Sequence, residues 1–170
     1  PDMILQKNAR LTDPEFEVIK QHTFIGAEIL GDSDSPIIAL ARDIALLHHE
    51  KWNGGGYPNG IAGADIPMAA RIVCLVDCFD ALTSARPYKK PYPPEIAYDI
   101  IVKEEGESFD PLLVKIFRER FDEFKDIAMD HMRDGASPDL HFQLSDRDME
   151  GSALWASLIT EHVYKAESNN

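Results

Sequence analysis

Histidine and aspartate side chains at five positions carry most of the chemistry this sequence offers. His22 stands alone, His48 and His49 are adjacent, and Asp77 and Asp80 are three residues apart. Imidazole together with carboxylate suits divalent iron, manganese, zinc or a similar ion rather than a thiolate site. Adjacent residues of a helix point about 100° apart. His48 and His49 would therefore not chelate one ion through like geometry; they could serve two neighbouring ions, or one could bind while the other supports. Spacing alone leaves a plainer reading open, in which the pair caps a helix C-terminus, His22 is a half-exposed helix residue and Asp77 is a core hydrogen-bond hub. Asp77 ends the apolar stretch Ile72-Val73-Cys74-Leu75-Val76, where a carboxylate buried without a partner would be strongly unfavourable. Asp80 shares its face and could contact a substrate or pair with a basic residue.

A second group is cationic. Arg86, Lys89 and Lys90 follow an expected helix end in an acidic chain, and such an island could hold a phosphate or be an exposed, solvated loop. Tyr57, in a glycine-rich loop, could stack on a base or plug the loop onto the core. Cys74 and Cys78, one helical turn apart, read as small buried hydrophobes before they read as ligands. His131, His141 and His162 have no visible companions.

Helices must position these groups. Thr12-Asp13-Pro14-Glu15 is a capping-box pattern. Phe16, Ile19, Thr23 and Gly26-Ala27 follow at helical spacing to Gly31, a natural C-cap, so a helix near 13–30 carries His22. Ser35-Pro36 opens a helix to about Glu50. Its apolar residues cover most of the circumference, which predicts a central, buried helix ending in the histidine pair. Residues 51–66 hold five glycines around Tyr57-Pro58 and form a loop. Pro67 starts a helix to about Ala85 that carries Asp77 and Asp80, and Arg86-Pro87 stops it. Further helices are expected from Pro93-Pro94 to Gly106 and from Asp110-Pro111 to about Met132. A loop over 134–148 and a last helix over 149–166, anchored by Trp155, complete an all-α class.

Bulk properties bound the function. The chain has 170 residues and a formal net charge of -13, which argues for one domain, at most two small ones, and against polymeric nucleic acid or anionic lipid as partners. No run of about 18 apolar residues is present, so no membrane span is expected. Two cysteines at helical spacing fit a reducing compartment, the cytoplasm.

The stretch HHEKWNGGGYPNGIAGADIPMAARIVCLVDCFDALTSARPYKKP, residues 48–91, strongly resembles the HD-GYP domain, with Gly56-Tyr57-Pro58 as its Gly-Tyr-Pro motif. The similarity extends back over residues 1–30 and forward to GESFDPLLVKIF, residues 106–117. Several motifs in order are far more specific than one short match. The resemblance implies an HD-domain-like helical bundle over residues 1–117, lacking its N-terminal helices, and a helical extension over 118–170. It implies a bacterial phosphodiesterase that hydrolyses the second messenger cyclic di-GMP with two or three divalent metal ions, usually iron or manganese, by two-metal catalysis. By position it makes His22, His48, His49 and Asp77 metal ligands, with His49 and Asp77 catalytic. Tyr57, Asp80, Arg86 and Lys89 become substrate-side residues, the last two towards the phosphates. It also implies signal transduction, fusion to an upstream regulatory domain such as a response-regulator receiver, and a diguanylate cyclase domain as a partner.

The chain departs from the family pattern. It opens Pro1-Asp2-Met3 without an initiator methionine and reads as a piece of a longer protein. The family's His-Asp dyad and the lysine after it would lie before Pro1. Asn53 stands where the family typically has Asp, and Ser108 where it typically has His. Two other readings stay open: a non-catalytic signalling module that binds cyclic di-GMP or a protein partner without turnover, and an HD-type phosphohydrolase for another nucleotide. The Tyr57 loop and the Arg86-Lys89 island argue against the latter.

Overall fold

The computed structural model describes Ile4, residues 11–84 and residues 91–133. Arg86, Lys89, Lys90, the Arg86-Pro87 stop, His141, His162, the loop over 134–148 and the last helix with Trp155 lie outside the described residues, as does the His131 side chain. Within the described residues the chain is helical: α1 (Asp13–Leu30), α2 (Pro36–Leu47), a 3-10 turn (Gly63–Asp65), α3 (Met68–Thr83), α4 (Pro94–Lys103), α5 (Pro111–Glu119) and α6 (Phe121–Arg133). An isolated bridge between Glu105 and Phe109 is the extended pairing seen there.

The helix starts follow from local chemistry. The Glu15 carboxylate accepts from the Thr12 amide at 2.7 Å and from its hydroxyl at 2.9 Å, satisfying an orphan donor before α1. Gly31 ends α1 at φ 64°, a left-handed value that glycine adopts freely, and its amide bonds Ala27 O at 3.0 Å. Asp110 caps α5 by accepting from Leu112 N at 2.8 Å. Where α1 meets α2, a Cβ on Gly26 would lie 3.3 Å from Ala45 Cβ, so glycine sets the closeness of that pair.

The core places a different helix at the centre from the one the apolar run predicts. α3 packs against α2, α4 and α5, and Cys74, Leu75, Cys78, Phe79 and Leu82 join Ala97, Ile101, Phe109, Val114, Phe117 and Ala128 in the main cluster. Each large side chain buried there contributes roughly 1.5–3 kcal/mol. α2 is peripheral among the described residues: Ile37 is 77% exposed and Leu40 49%, and Leu47 is its buried residue, in a small second cluster with Ile66 and Ala70. An all-round apolar surface says that a helix can be covered, not which face is covered. The helix expected from Asp110 to Met132 is also two helices. It breaks at Arg120 (φ -112°, ψ 14°), and Phe121 and Phe124 turn back onto the Phe117 ring at centroid distances of 5.8 and 5.0 Å. Phe117, Phe121, Phe124 and Ala128 keep helical spacing across the break, so periodicity conceals it.

Candidate metal centre

The end of α2 decides the site. The helix stops at Leu47, and His48 and His49 lie in the turn that follows. His48 keeps helical backbone angles (φ -67°, ψ -10°), and the chain leaves the helix after it, in the turn that carries His49. Their rings lie 4.0 Å apart, centroid to centroid, and His22 approaches from α1 with its ring 5.0 Å from His49. The three imidazoles each offer a ligand atom, and these atoms lie within 4.8 Å of one another.

The helices also orient the rings. His22 Nδ1 donates to Ile19 O at 2.8 Å. His48 Nδ1 donates to Ile44 O at 2.9 Å and Ala45 O at 3.1 Å. A carbonyl only accepts, so when either ring is neutral its proton sits on Nδ1 and its lone pair on Nε2. Those two Nε2 atoms face each other at 3.4 Å. Two lone pairs at that separation repel unless a proton or cation lies between them. His49 is 5% exposed. Burial, then the charges of His48 and His22, lowers its pKa to about 2, so its lone pair is available at every ordinary pH.

Tyr57 covers this cluster. Its ring is tilted over His49 at 4.7 Å and edge-on to Phe16 at 5.8 Å. Its hydroxyl is buried without a hydrogen-bond partner, and burial, then Asp77, raises its pKa. The loop reaches this position because residue 56 is glycine: a Cβ there would sit 2.3 Å from Lys51 N and 2.5 Å from Glu50 Cα. Asp77 is exposed on α3, not buried as its apolar neighbours suggest, because it falls on the face of α3 that points away from the aromatic core. It is not one of the three residues whose ligand atoms lie within 4.8 Å of one another, but its charge reaches Tyr57. Asp80 is exposed one turn further on and accepts from Ser84 Oγ at 3.0 Å. Cys74 and Cys78 are free and buried, and burial, then Asp77, pushes the Cys74 thiol up to about 12.

Two buried features escape the residue-type search. Glu50 is 2% exposed and accepts from the Asn59 and Gly60 amides; an acidic residue directly before a glycine-rich loop was the available signal. Arg71 bonds Asp110 at 2.5 Å in a buried ion pair and lies 5.6 Å from the Trp52 ring. That pair fastens α3 to the start of α5, while Asn53 N bonds Glu107 O at 2.9 Å and ties the loop to the segment before α5. Here the departures have local partners: Asn53 Nδ2 donates to Glu107 Oε2 at 2.9 Å, and Ser108 Oγ to Glu104 Oε2 at 2.7 Å.

A family model described as the HD domain matches residues 1–113. The chain belongs to the HD-domain family, in its HD-GYP branch. This HD-GYP chain is 46% identical over 127 residues to a cyclic di-GMP phosphodiesterase of Thermotoga maritima, covering 75% of the chain and 34% of that protein. It is 43% identical over 141 residues to a cyclic di-GMP phosphodiesterase of Vibrio cholerae, covering 80% of the chain and 28% of that protein. It is 41% identical over 124 residues to a 3'3'-cGAMP-specific phosphodiesterase of the same organism, covering 73% and 24%. The HD-GYP chain thus spans about a third or less of the curated relatives it matches.

Proposed function

We propose that the protein to which this chain belongs is a metal-dependent phosphodiesterase that hydrolyses cyclic di-GMP in signal transduction. The facing Nε2 atoms of His22 and His48, 3.4 Å apart with neutral His49 beside them, carry the reading. A divalent cation removes the lone-pair repulsion, and backbone carbonyls behind the rings are the usual support for metal-bound imidazole. The donor set fits two or three divalent ions, iron or manganese, held by His22, His48, His49 and Asp77. When bound, such ions polarise a phosphodiester and supply an activated water nucleophile.

The chain's own residues do the rest. The carbonyls of Ile19, Ile44 and Ala45 hold the tautomers. Burial keeps His49 unprotonated, and Tyr57 shields it from bulk water. Asp77 and His49 are the catalytic pair, while Tyr57, Asp80, Arg86 and Lys89 take the substrate side, Arg86 and Lys89 against the phosphates. The names of the relatives support a cyclic dinucleotide as substrate. Residues 1–117 form the HD-GYP unit and 118–170 its extension, in a cytoplasmic protein with an upstream regulatory domain and a diguanylate cyclase partner. No helix of the described residues is long and apolar enough to cross a membrane.

The test is turnover by the whole protein loaded with manganese or iron, using cyclic di-GMP and 3'3'-cGAMP. Linearised cyclic di-GMP is expected, with turnover lost in Asp77→Ala and His49→Ala. Full turnover in both variants rejects the ligand assignment. Preference for 3'3'-cGAMP replaces the substrate, and binding without turnover favours the non-catalytic module.

A further inference from the structure

Glu50 follows a proposed ligand, yet it belongs neither to the imidazole cluster nor to the substrate side. Its Oε1 accepts from Asn59 N at 2.7 Å and from Gly60 N at 3.1 Å, while Oε2 is buried without a hydrogen-bond partner. On the other side of the same loop, Tyr57 N donates to His49 O at 3.1 Å. Tyr57 is thus tied down on both flanks, by a carbonyl before it and by a carboxylate clamp after it. Between these ties its ring lies 4.7 Å from His49. Glycines at 54, 55, 56 and 60 give the free loop high conformational freedom, so a few anchors decide its shape. A carboxylate that receives two amides is the stronger kind of anchor.

We infer that Glu50 is a positioning residue: its buried carboxylate clamps Asn59 and Gly60 and thereby holds the Tyr57 ring against His49. The consequence for substrate rests on the reading of the site as a cyclic di-GMP phosphodiesterase; the clamp itself does not. Glutamine keeps an acceptor oxygen at the same reach, alanine removes it, and aspartate withdraws it by one methylene.

The experiment uses the whole protein that carries this chain and its E50Q, E50A and E50D variants. It follows amide hydrogen exchange, the ring-current shift of Tyr57 on the His49 protons, and affinities for Mn2+ and cyclic di-GMP. In E50A the Asn59 and Gly60 amides are expected to exchange about tenfold faster or more, the size of losing hydrogen bonds to a charged acceptor. The His49 shift collapses, cyclic di-GMP affinity falls about tenfold, and Mn2+ affinity stays within about threefold. E50Q restores the parental shift and exchange. If E50A does not fold, E50D is expected to show the same losses. Unchanged exchange in E50A or E50D overturns the clamp, as does faster exchange spread equally over α4, α5 and α6, or equal loss of both affinities. If the parent protein itself does not bind cyclic di-GMP, the functional reading fails, and exchange with the His49 shift still judges Glu50.

Discussion

The two ends of the molecule are held together by different forces. Around α4, α5 and α6 the packing is apolar and aromatic: Phe117 is 1% exposed, and its ring meets those of Phe79, Tyr98, Phe121 and Phe124 at 5.0–5.8 Å. Around α1, α2 and the Tyr57 loop the apolar cluster is small. There the order comes from hydrogen bonds to backbone groups, at His22, His48 and Glu50. Polar anchoring aims side chains with little tolerance but contributes modest net stability. Apolar packing contributes stability without aiming ligand atoms. The division leaves the histidine end with the smaller share of apolar packing.

Phe117→Ala is the strongest challenge to this division. It should cost about 3–5 kcal/mol in denaturant unfolding; a loss under about 1 kcal/mol would show that the aromatic end is not the stabilising one. Next is metal. Mn2+ at about a hundred times its dissociation constant should raise stability by about 2.7 kcal/mol, and His22→Ala should abolish that gain while changing the EDTA-treated chain little. Equal Mn2+ stabilisation in parent and variant would remove His22 from the site.

Acid should act on the same end. His49 titrates near its ordinary value when unfolded and at about 2 when folded, so the unfolded chain takes up more protons in between and stability falls as pH drops below about 6.5. In the EDTA-treated chain, going from pH about 7.5 to about 5 should remove about 2 kcal/mol through this residue. A flat profile would mean that His49 is not shielded. The smallest effect is expected from the exposed Arg120–Glu123 pair: Arg120→Ala should leave the unfolding midpoint unchanged, and a clear shift would give the α5–α6 break an electrostatic component.

The all-α class and most helix starts were legible because capping residues and prolines act over one turn. Asp13–Leu30 matches the expected helix, and Pro36 and Pro111 open theirs. His22, His48 and His49 were legible as candidates by type and through the HD-GYP resemblance. Their convergence was not, since helical geometry argued against two adjacent histidines meeting at one point. The apolar run points to α2 where α3 takes the buried centre, and it hides the α5–α6 break, because an apolar pattern records what can be buried and not which neighbour arrives.

Residue order alone sets the side chains available for metal chemistry, the glycine at 56 without which the loop could not close, and the local signals that start most helices. The tertiary structure decided which groups meet. By ending α2 at Leu47 it swung His48 and His49 towards His22. By bringing α3 to the centre it buried Cys74 and left Asp77 exposed, and by folding the loop back it set Tyr57 over His49 and the Asn59 and Gly60 amides on Glu50. Such meetings depend on long-range packing, which selects one partner for each face among the many that local patterning permits.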